Sequence, residues 1–207
     1  RGQWDVSVFL DPDPELRVEW KIKRDTSKRG YTRAEVLEQL EHRRHDSETY
    51  VQPQREHADI VVSFYPPLEY ARTKDNARLN VRITLRHPVP LPDLEDAFAA
   101  AEGTNGGPHL KLVRGAEGAD LLEISGQISD AATRAIENRM WDHMPSARHL
   151  RSDRVGVFQD GPTERCSNPL AVTQLVLTYY LVKASALAAK QEQRRESESA
   201  ATARGFA

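Results

Sequence analysis

The sequence contains a single cysteine and has no excess of either charge. Because Cys166 is alone among 207 residues, an intrachain disulfide and a zinc site built from several cysteines are excluded. A lone thiol fits a reducing compartment, so we expect the protein to be cytoplasmic. Lys and Arg number 29 against 31 Asp and Glu, and the formal charge of -2 gives no reason to expect nucleic acid or an acidic membrane as a partner.

Long uninterrupted hydrophobic runs are also missing. The most apolar stretch, 170–189, is broken by Gln174, Thr178 and Lys183, which favours a buried helix over a membrane span. No charged-then-apolar segment resembles a secretory signal. The chain opens with Arg1 and not Met, and reaches an alternating strand pattern almost at once, so we expect it to begin inside a domain.

The first residues predict a strand that is followed by a helix. Apolar and polar residues alternate over 5–10, and the turn that follows offers Asp13 as a helix N-cap with Pro14 at the first helical position. Apolar residues recur through 15–28 until Gly30, which is a typical helix stop. This helix is the most basic stretch of the chain.

A second helix and a second strand are predicted next. Thr32 and Glu35 form a capping box, which predicts a helix over 33–44. Residues 58–64 then form a short apolar run that two prolines close, and this run predicts a strand. A polar linker follows over 69–78.

The remainder of the chain predicts a mixture of strands and helices. A half-exposed strand at 79–85 comes first, and a short helix at 93–102 and a loop at 103–108 follow it. Segments 110–113 and 121–124 could form a hairpin around Gly115 and Gly118, but the sequence leaves their pairing open. A helix from Ser129 to Met144, largely irregular chain over 145–167 and a long helix opened by Asn168 and Pro169 complete the prediction. From Gln191 onward the sequence is polar and of low complexity, so we expect a disordered tail, which can still pack against a partner.

Five charged residues of the first helix share one face. Lys21, Arg24, Asp25, Lys28 and Arg29 follow one another at helical spacings of three and four. Phosphoryl transfer needs such a cation cluster, because its transition state carries much negative charge to neutralise and position. The alternative is a set of ordinary surface ion pairs, worth about 0.2–0.5 kcal/mol each. Spacing alone favours that alternative.

The order of residues in this segment resembles a motif of a known family. Arg24-Asp25, four residues and then Arg29-Gly30 is similar to the lid motif of phosphoribulokinases and uridine kinases, and 53–62, Pro-Gln-Arg-Glu-His-Ala-Asp-Ile-Val-Val, resembles the strand after that lid. The resemblance implies that both arginines close on the ATP phosphates. It also implies that Asp25 sits at the reacting phosphate or its magnesium ion.

Two further residues of this region are candidates. Lys21 matches a basic position of bacterial phosphoribulokinases, and the resemblance adds it to the candidate catalytic residues. Tyr31, directly after the lid glycine, is a candidate for binding a substrate phosphate or for packing the lid, and the sequence does not decide between these roles.

The length of the chain after the lid separates the two kinases. Uridine kinases end soon after the strand at 58–64, whereas this chain continues, and 121–127 with the helix after it resembles the carboxy-terminal part of cyanobacterial and plant phosphoribulokinases. The implied class is α/β. Residues 1–67 would end a nucleoside-monophosphate-kinase-like P-loop domain, 79–190 would form a mixed α+β extension, and 191–207 a tail.

The resemblance implies an activity and its co-substrates. The activity is transfer of a phosphoryl group from ATP, with Mg²⁺, to ribulose 5-phosphate, which gives ribulose 1,5-bisphosphate in the Calvin cycle. The sequence departs from the family in two ways. The nucleotide-binding motif Gly-x-x-x-x-Gly-Lys-Ser/Thr occurs nowhere, so we expect the chain alone to be inactive. Cys166 is also the only cysteine, so it has no partner with which to form the redox-active pair of the plant enzymes. A uridine kinase-like enzyme and a non-catalytic kinase-derived binding module remain alternatives.

Other chemistry-bearing residues give weaker patterns. His42 and His45 are three apart on a charged helix with no third ligand at a recognisable spacing, which favours a solvated face over a metal site. Cys166 beside Arg165 has no histidine or carboxylate partner in sequence, which favours a structural cysteine over a reactive one. The apolar run over 175–187 covers most of a helix and is typical of a core or dimer surface, so we expect a homo-oligomer.

Overall fold

The main sheet of the molecule joins the two halves of the chain. The computed structural model describes residues 6–86, 109–115 and 119–205. The helix expected at 93–102, the loop expected at 103–108 and Gly118 lie outside the described residues. The sheet has the order β1-β2-β3-β5-β4, with β1 at Val8–Leu10, β2 at Ile60–Tyr65, β3 at Asn80–Leu85, β4 at Leu110–Val113 and β5 at Asp120–Ile124.

Strand directions divide this sheet. Strands β1 and β2 are parallel, with Val8 opposite Ile60, whereas β2 and β3, β3 and β5, and β4 and β5 are antiparallel. A parallel pair requires a long crossover connection, which here is the helical segment between Leu10 and Ile60. The predicted α/β class is therefore confirmed, and the predicted hairpin of 110–113 with 121–124 pairs as an antiparallel ladder.

Burial along β3 explains how the sheet is covered. Val81, Ile83 and Leu85 are buried while Arg82 between them is exposed, as expected of a strand with one covered face. In β2, by contrast, Ile60, Val61 and Val62 are all buried, so both faces of the sheet are covered along this part of the strand.

The crossover between β1 and β2 is almost entirely helical. Its elements are α1 at Pro14–Lys28, α2 at Arg33–His42, α3 at Arg44–Asp46, one π-helical turn at Ser47–Val51 and a 3-10 helix at Gln52–His57. The predicted caps at Asp13 and Thr32 are both present. Helix α2 ends two residues before the predicted 44. The segment expected to be a polar linker holds a short helix, α4 at Tyr70–Thr73, and a 3-10 turn at Asn76–Arg78.

Two helices pack together with the sheet in the main core. They are α5 at Asp130–Asp142, capped by Ser129 as predicted, and α6 at Asn168–Gly205. The core joins sheet residues such as Ile83 and Leu122 to Ile136 and Met140 of α5 and to Leu175 of α6. Leu→Ala at a fully buried position such as Leu122 is expected to cost about 2–5 kcal/mol.

The expectation of largely irregular chain over 145–167 is wrong. Residues Pro145–Leu150 form a 3-10 helix, and β6 at Val157–Asp160 pairs with β7 at Thr163–Cys166 as a separate two-stranded hairpin. The two strands are joined by Gly161 and Pro162. Gly161 has φ +68, which fits the first central position of a type II′ turn and is accessible to glycine at little cost.

Helix α6 is longer than the sequence predicts. We expected disorder from Gln191, whereas the helix continues to Gly205, over a stretch in which Ala, Glu, Gln and Arg favour helix. Among the described residues, one helical segment, Asn168–Arg195, is long and apolar enough to cross a membrane by length and composition; 44% of its most apolar window is buried. Its buried residues, which include Leu175 and Tyr180, pack in the core, while Leu181 and Leu187 are exposed.

Candidate phosphate-binding site

Helix α1 starts at the carboxyl end of strand β1. The Oδ1 atom of Asp13 accepts hydrogen bonds from the amides of Glu15 at 2.9 Å and Leu16 at 3.3 Å, which satisfies donors that the first helical turn leaves free. The Leu16 side chain is 1% exposed and packs with Tyr70 and Leu79. The beginning of the helix is thereby fixed against the sheet.

A buried carboxylate lies near the other end of α1, surrounded by cations. Asp25 Oδ2 is 2.9 Å from Lys21 Nζ, and Asp25 Oδ1 is 2.8 Å from Arg24 Nε and 3.5 Å from Arg29 Nη1. The Asp25 side chain is 1% exposed. We call these four residues the Asp25 cluster. It contains four of the five candidates that the sequence analysis named.

The cluster carries a net positive charge. Three cations surround one carboxylate, so the formal sum is +3 − 1 = +2. Hydrogen bonds from Arg24 and then from Lys21 lower the pKa of Asp25 far below its ordinary value, and they outweigh burial, which acts to raise it. The hydrogen bond to Asp25 likewise raises the pKa of Arg24. Asp25 is therefore ionised at neutral pH and holds its cations in place.

The turn after α1 folds back onto the same aspartate. Gly30 has φ +73, a left-handed conformation that suits glycine, and nothing lies within 4 Å of the position where a Cβ would stand. The amides of Arg29 and Tyr31 both donate to the backbone oxygen of Asp25, at 3.2 Å and 3.3 Å. The glycine therefore closes the helix where Arg29 returns to the carboxylate.

Helix α2 supports the cluster from one side. Lys21 Nζ donates a second hydrogen bond to Gln39 Oε1 of this helix, at 3.3 Å. The start of α2 is fixed by the capping box, in which the Thr32 amide donates to Glu35 at 2.7 Å and lowers the pKa of that carboxyl. Sequence reasoning missed Gln39, because a glutamine on a polar helix gives no signal until the packing of α1 on α2 is known.

The two arginines keep donors that the cluster does not use. Arg24 contacts Asp25 through Nε, and within the described residues its terminal nitrogens have no other recorded partner. The side chains of Arg24 and Arg29 are 51% and 57% exposed, whereas Lys21 is 19% exposed. Because a guanidinium presents planar, permanently charged donors, the two arginines suit phosphate oxygens.

Tyr31, the remaining candidate, is 41% exposed. It follows Gly30 directly, and through its amide it is held beside Asp25, but no hydrogen bond of its hydroxyl is recorded in the described part of the chain. Its choice between a substrate phosphate and packing of the lid stays a prediction.

Metal ligands are sparse in the part of the chain that the structure describes. No group of three or more His, Cys, Asp or Glu is placed to hold a metal ion there. His42 and His45 are both exposed, as the solvated-face interpretation predicts. Both carboxylate oxygens of Asp25 accept hydrogen bonds from cations and the side chain is 1% exposed, so in this conformation the carboxylate is not open to a Mg²⁺ ion.

A large cavity lies elsewhere among the described residues. It has a volume of about 780 Å³ and lies between α5, the start of α6 and the β7 strand, where Arg134, Arg165 and Cys166 are among its lining residues. No residue of the Asp25 cluster lines it. Its charges are mixed, with Asp75, Asp130 and Glu137 beside the arginines, so we place the chemistry at α1, where unpaired donors converge. Cys166 is a free and exposed thiol.

Comparison with known proteins agrees with this geometry. The family model described as Phosphoribulokinase / Uridine kinase family matches residues 1–70, which contain the whole Asp25 cluster. A phosphoribulokinase of Synechocystis sp. is 32% identical over 100 residues, covering 48% of this chain and 29% of the relative. The chloroplastic phosphoribulokinase of Spinacia oleracea is 37% identical over 85 residues, covering 41% of this chain and 21% of the relative.

A second kind of kinase is also similar. A uridine kinase of Staphylococcus epidermidis is 36% identical over 63 residues, or 30% of each chain. The matched part of this chain thus spans less than a third of the length of these curated relatives. Residues 1–70, which contain helix α1 and the Asp25 cluster, are therefore the part of the chain that is similar to the phosphoribulokinase and uridine kinase family.

Proposed function

We propose that this chain is part of a kinase that transfers the γ-phosphoryl group of ATP to the primary hydroxyl of ribulose 5-phosphate, giving ribulose 1,5-bisphosphate. The observation that carries the proposal is the Asp25 cluster, in which a buried carboxylate holds three cations while two arginines keep exposed donors. The partial matches to phosphoribulokinases support the acceptor.

The cluster would act by positioning and by charge. Arg24 and Arg29 would donate to the oxygens of the transferring phosphoryl group, where negative charge must be stabilised as the bond to the leaving diphosphate breaks. Lys21 would add its charge nearby while bound to Asp25 and Gln39. Fixed donors of this kind need little reorganisation during the reaction, because the carboxylate already holds them.

ATP and Mg²⁺ are the implied co-substrate and cofactor. When bound, magnesium ATP supplies the phosphoryl group and part of the neutralising charge. The donors of the Asp25 cluster fit the phosphates, whereas the Asp25 carboxylate is buried and paired with cations, so it is not open to the metal in this conformation. A direct role of Asp25 at the metal or the attacking hydroxyl requires that it exchange its present partners, and we favour its role in holding the cations.

The proposal requires a second phosphate-binding element. The sequence has no Gly-x-x-x-x-Gly-Lys-Ser/Thr motif, so the loop that cradles ATP must come from polypeptide other than these 207 residues. An exposed edge is consistent with further polypeptide: within the described residues β1 pairs on one side, and Val8 and Leu10 are 45% and 58% exposed.

The test is an assay of the polypeptide that contains this chain together with an ATP-binding loop. We expect ATP-dependent phosphorylation of ribulose 5-phosphate, and we expect Arg29→Ala to lower kcat by about 10²-fold or more, the loss typical of a removed transition-state donor. Arg44→Ala is the matched control, because Arg44 pairs with Glu41 on the surface and is 67% exposed. No turnover of ribulose 5-phosphate by the unmodified protein would refute the proposed activity, and equal turnover in all three proteins would refute the role of the Asp25 cluster.

The second candidate is a uridine kinase-like enzyme, favoured by the match to the Staphylococcus epidermidis protein over 63 residues. The lid residues indicate phosphoryl transfer, but they do not identify the molecule that accepts the phosphoryl group. Uridine in the same assay separates the candidates, since turnover of uridine alone would move the proposal to a nucleoside kinase. Turnover of neither acceptor would leave a non-catalytic binding module.

We also infer self-association and a cytosolic location. Leu181 and Leu187 of α6 are 50% and 41% exposed, and such leucines on a long helix suit contact with a second copy. The single free cysteine fits a reducing compartment. Light scattering of the purified protein tests the first inference, and a monomer at all concentrations would contradict it.

A further inference from the structure

A second polar cluster joins the opposite side of α1 to the carboxy-terminal part of the chain. Asp160, at the end of β6, accepts hydrogen bonds from Lys23 Nζ and from Asn76 Nδ2, the latter at 3.3 Å, on Oδ1. Its Oδ2 atom accepts from Arg165 Nη1 at 3.3 Å, and Arg165 Nη2 donates to Asp75 at 2.8 Å. We call these five residues the Asp160 cluster.

Two side chains of α1, Lys23 and Trp20, contact residues of the Asp160 cluster that lie outside the helix. Lys23 contacts Asp160 directly, across 137 positions of sequence. Trp20 Nε1 donates to Asn76 Oδ1 at 3.1 Å, and the Tyr70 hydroxyl donates to the same oxygen at 3.1 Å. One amide side chain therefore links the helix, the segment that follows β2 and the β6–β7 hairpin.

Partial burial distinguishes these contacts from ordinary surface ion pairs. The side chains of Asp160, Asp75 and Arg165 are 11%, 25% and 35% exposed. Burial acts to raise the pKa of Asp160, but hydrogen bonds from Lys23 and Asn76 lower it on balance, so Asp160 stays ionised at neutral pH. Exposed single ion pairs contribute little to stability, whereas a shared and shielded network has a defined geometry.

The position of the cluster along α1 matters for the proposed site. The apolar cluster that includes Tyr70 and Leu79 takes Leu16 and Trp20 from the first half of the helix, and Ile22 is buried directly before Lys23. Lys23 lies beyond them, directly before Arg24 and Asp25. Since Lys23 and Lys21 are two residues apart, they project about 200° from each other around the helix. The Asp160 cluster therefore holds the side of the helix that faces away from Lys21 and Asp25.

We propose that the Asp160 cluster is a positioning device, in which the β6–β7 hairpin holds the second half of α1 so that Arg24 and Arg29 face the phosphoryl group. Lys23 and Asp160 are then positioning residues for a reaction that neither touches, and this role rests on the proposed function. The carboxy-terminal extension thereby contributes to the site although it supplies none of its cations.

The first experiment measures amide hydrogen exchange in the chain itself and needs no activity. In Lys23→Met, which keeps the apolar stem of a side chain that is 48% exposed, we expect exchange over residues 24–29 to be at least about tenfold faster, because this segment opens locally. Lys23→Arg should restore protection. Unchanged exchange in Lys23→Met would overturn the proposal, even if every prediction about catalysis holds.

A matched control separates positioning from general damage to the hairpin. Glu164→Gln removes the ion pair of this hairpin residue with Arg154, in which the two side-chain atoms are 2.7 Å apart, and the Glu164 side chain is 48% exposed and, within the described residues, pairs with no residue of α1. We expect normal exchange over residues 24–29 in this variant. Asp160→Asn should reproduce the faster exchange of Lys23→Met, and a slow segment in Asp160→Asn would count against the proposal.

The second experiment measures kinetics in the complete kinase. We expect Lys23→Met to lower kcat by about tenfold while the melting temperature changes little, and Lys23→Arg to recover most of the loss. In Lys23→Met, a normal kcat together with faster exchange would overturn the claim that the Asp160 cluster supports catalysis. It would leave intact the claim that the cluster anchors the second half of α1. If the unmodified kinase does not phosphorylate ribulose 5-phosphate, the proposed function fails, and the exchange result still decides whether the anchor exists.

Discussion

Two carboxylates, Asp25 and Asp160, bind cationic side chains of α1, but the two arrangements do different things. Asp25 gathers its cations from within four residues on either side, and two of these cations are more than half exposed. Asp160 gathers Lys23 and Asn76 from a distance of 84 positions or more, and its own side chain is 11% exposed. The first arrangement leaves donors for a ligand, whereas the second uses its donors to join elements.

The largest difference should appear when one arginine is removed from each cluster. Arg29→Gln should lower kcat of the complete kinase by about 10²-fold and change stability by less than about 0.5 kcal/mol, because its side chain is 57% exposed and lies 3.5 Å from Asp25, which keeps its closer partners Lys21 and Arg24. Arg165→Gln should do the reverse, costing about 1 kcal/mol of stability with a much smaller change in kcat. Turnover with denaturant unfolding measures both, and equal losses in both variants would abolish the distinction.

A smaller effect is expected at the glycine next to each cluster. Gly30 and Gly161 have φ +73 and +68, so alanine should cost about 1–2 kcal/mol at each position. Gly30→Ala should also lower kcat, since it disturbs the turn that returns Arg29 to Asp25. Gly161→Ala would bring a Cβ to 3.4 Å from Lys23 Cε, an ordinary contact, so its effect on kcat should be weaker. Thermal unfolding and turnover of the two variants test this order.

The smallest expected effect is the dependence of the unfolding free energy on the ionisation of Asp25 and Asp160, which changes little near neutral pH. Both carboxyls have a pKa lowered from 3.8 in the folded protein, so the unfolded chain takes up protons first as the pH falls. Their contribution to stability is therefore complete above about pH 4 and is lost as the pH falls through the folded pKa values. Asp25→Asn and Asp160→Asn should each flatten this acid dependence of the unfolding free energy. An unchanged slope in Asp25→Asn would contradict the ion-pair geometry.

Sequence reasoning succeeded where structure is determined locally. Asp13 and Pro14 define the start of α1, and Thr32 with Glu35 defines the start of α2, because a cap involves residues within one turn. The facing arrangement of Lys21, Arg24 and Asp25 follows from helical periodicity in the same way. Their use as a cluster and not as surface pairs came from the family motif, since spacing alone favoured the latter.

The features that sequence reasoning missed depend on distant partners. The β6–β7 hairpin has short, largely polar strands, and its turn signal, Gly161 with Pro162, lay in a segment that lacks an apolar pattern. Lys23 looks like any lysine of a basic helix until Asp160 is placed beside it. Gln39 likewise acquires a role only when α2 packs on α1.

The central claim is that α1 presents phosphate donors on one side and is held in place from the other. Its most direct test is kcat for ATP-dependent phosphorylation of ribulose 5-phosphate by the complete kinase, compared between Arg29→Ala and Lys23→Met. The account predicts a loss of about 10²-fold or more for Arg29→Ala and of about tenfold for Lys23→Met, with only the second recovered by arginine at position 23. Turnover by the Arg29→Ala variant equal to that of the unmodified kinase would contradict it.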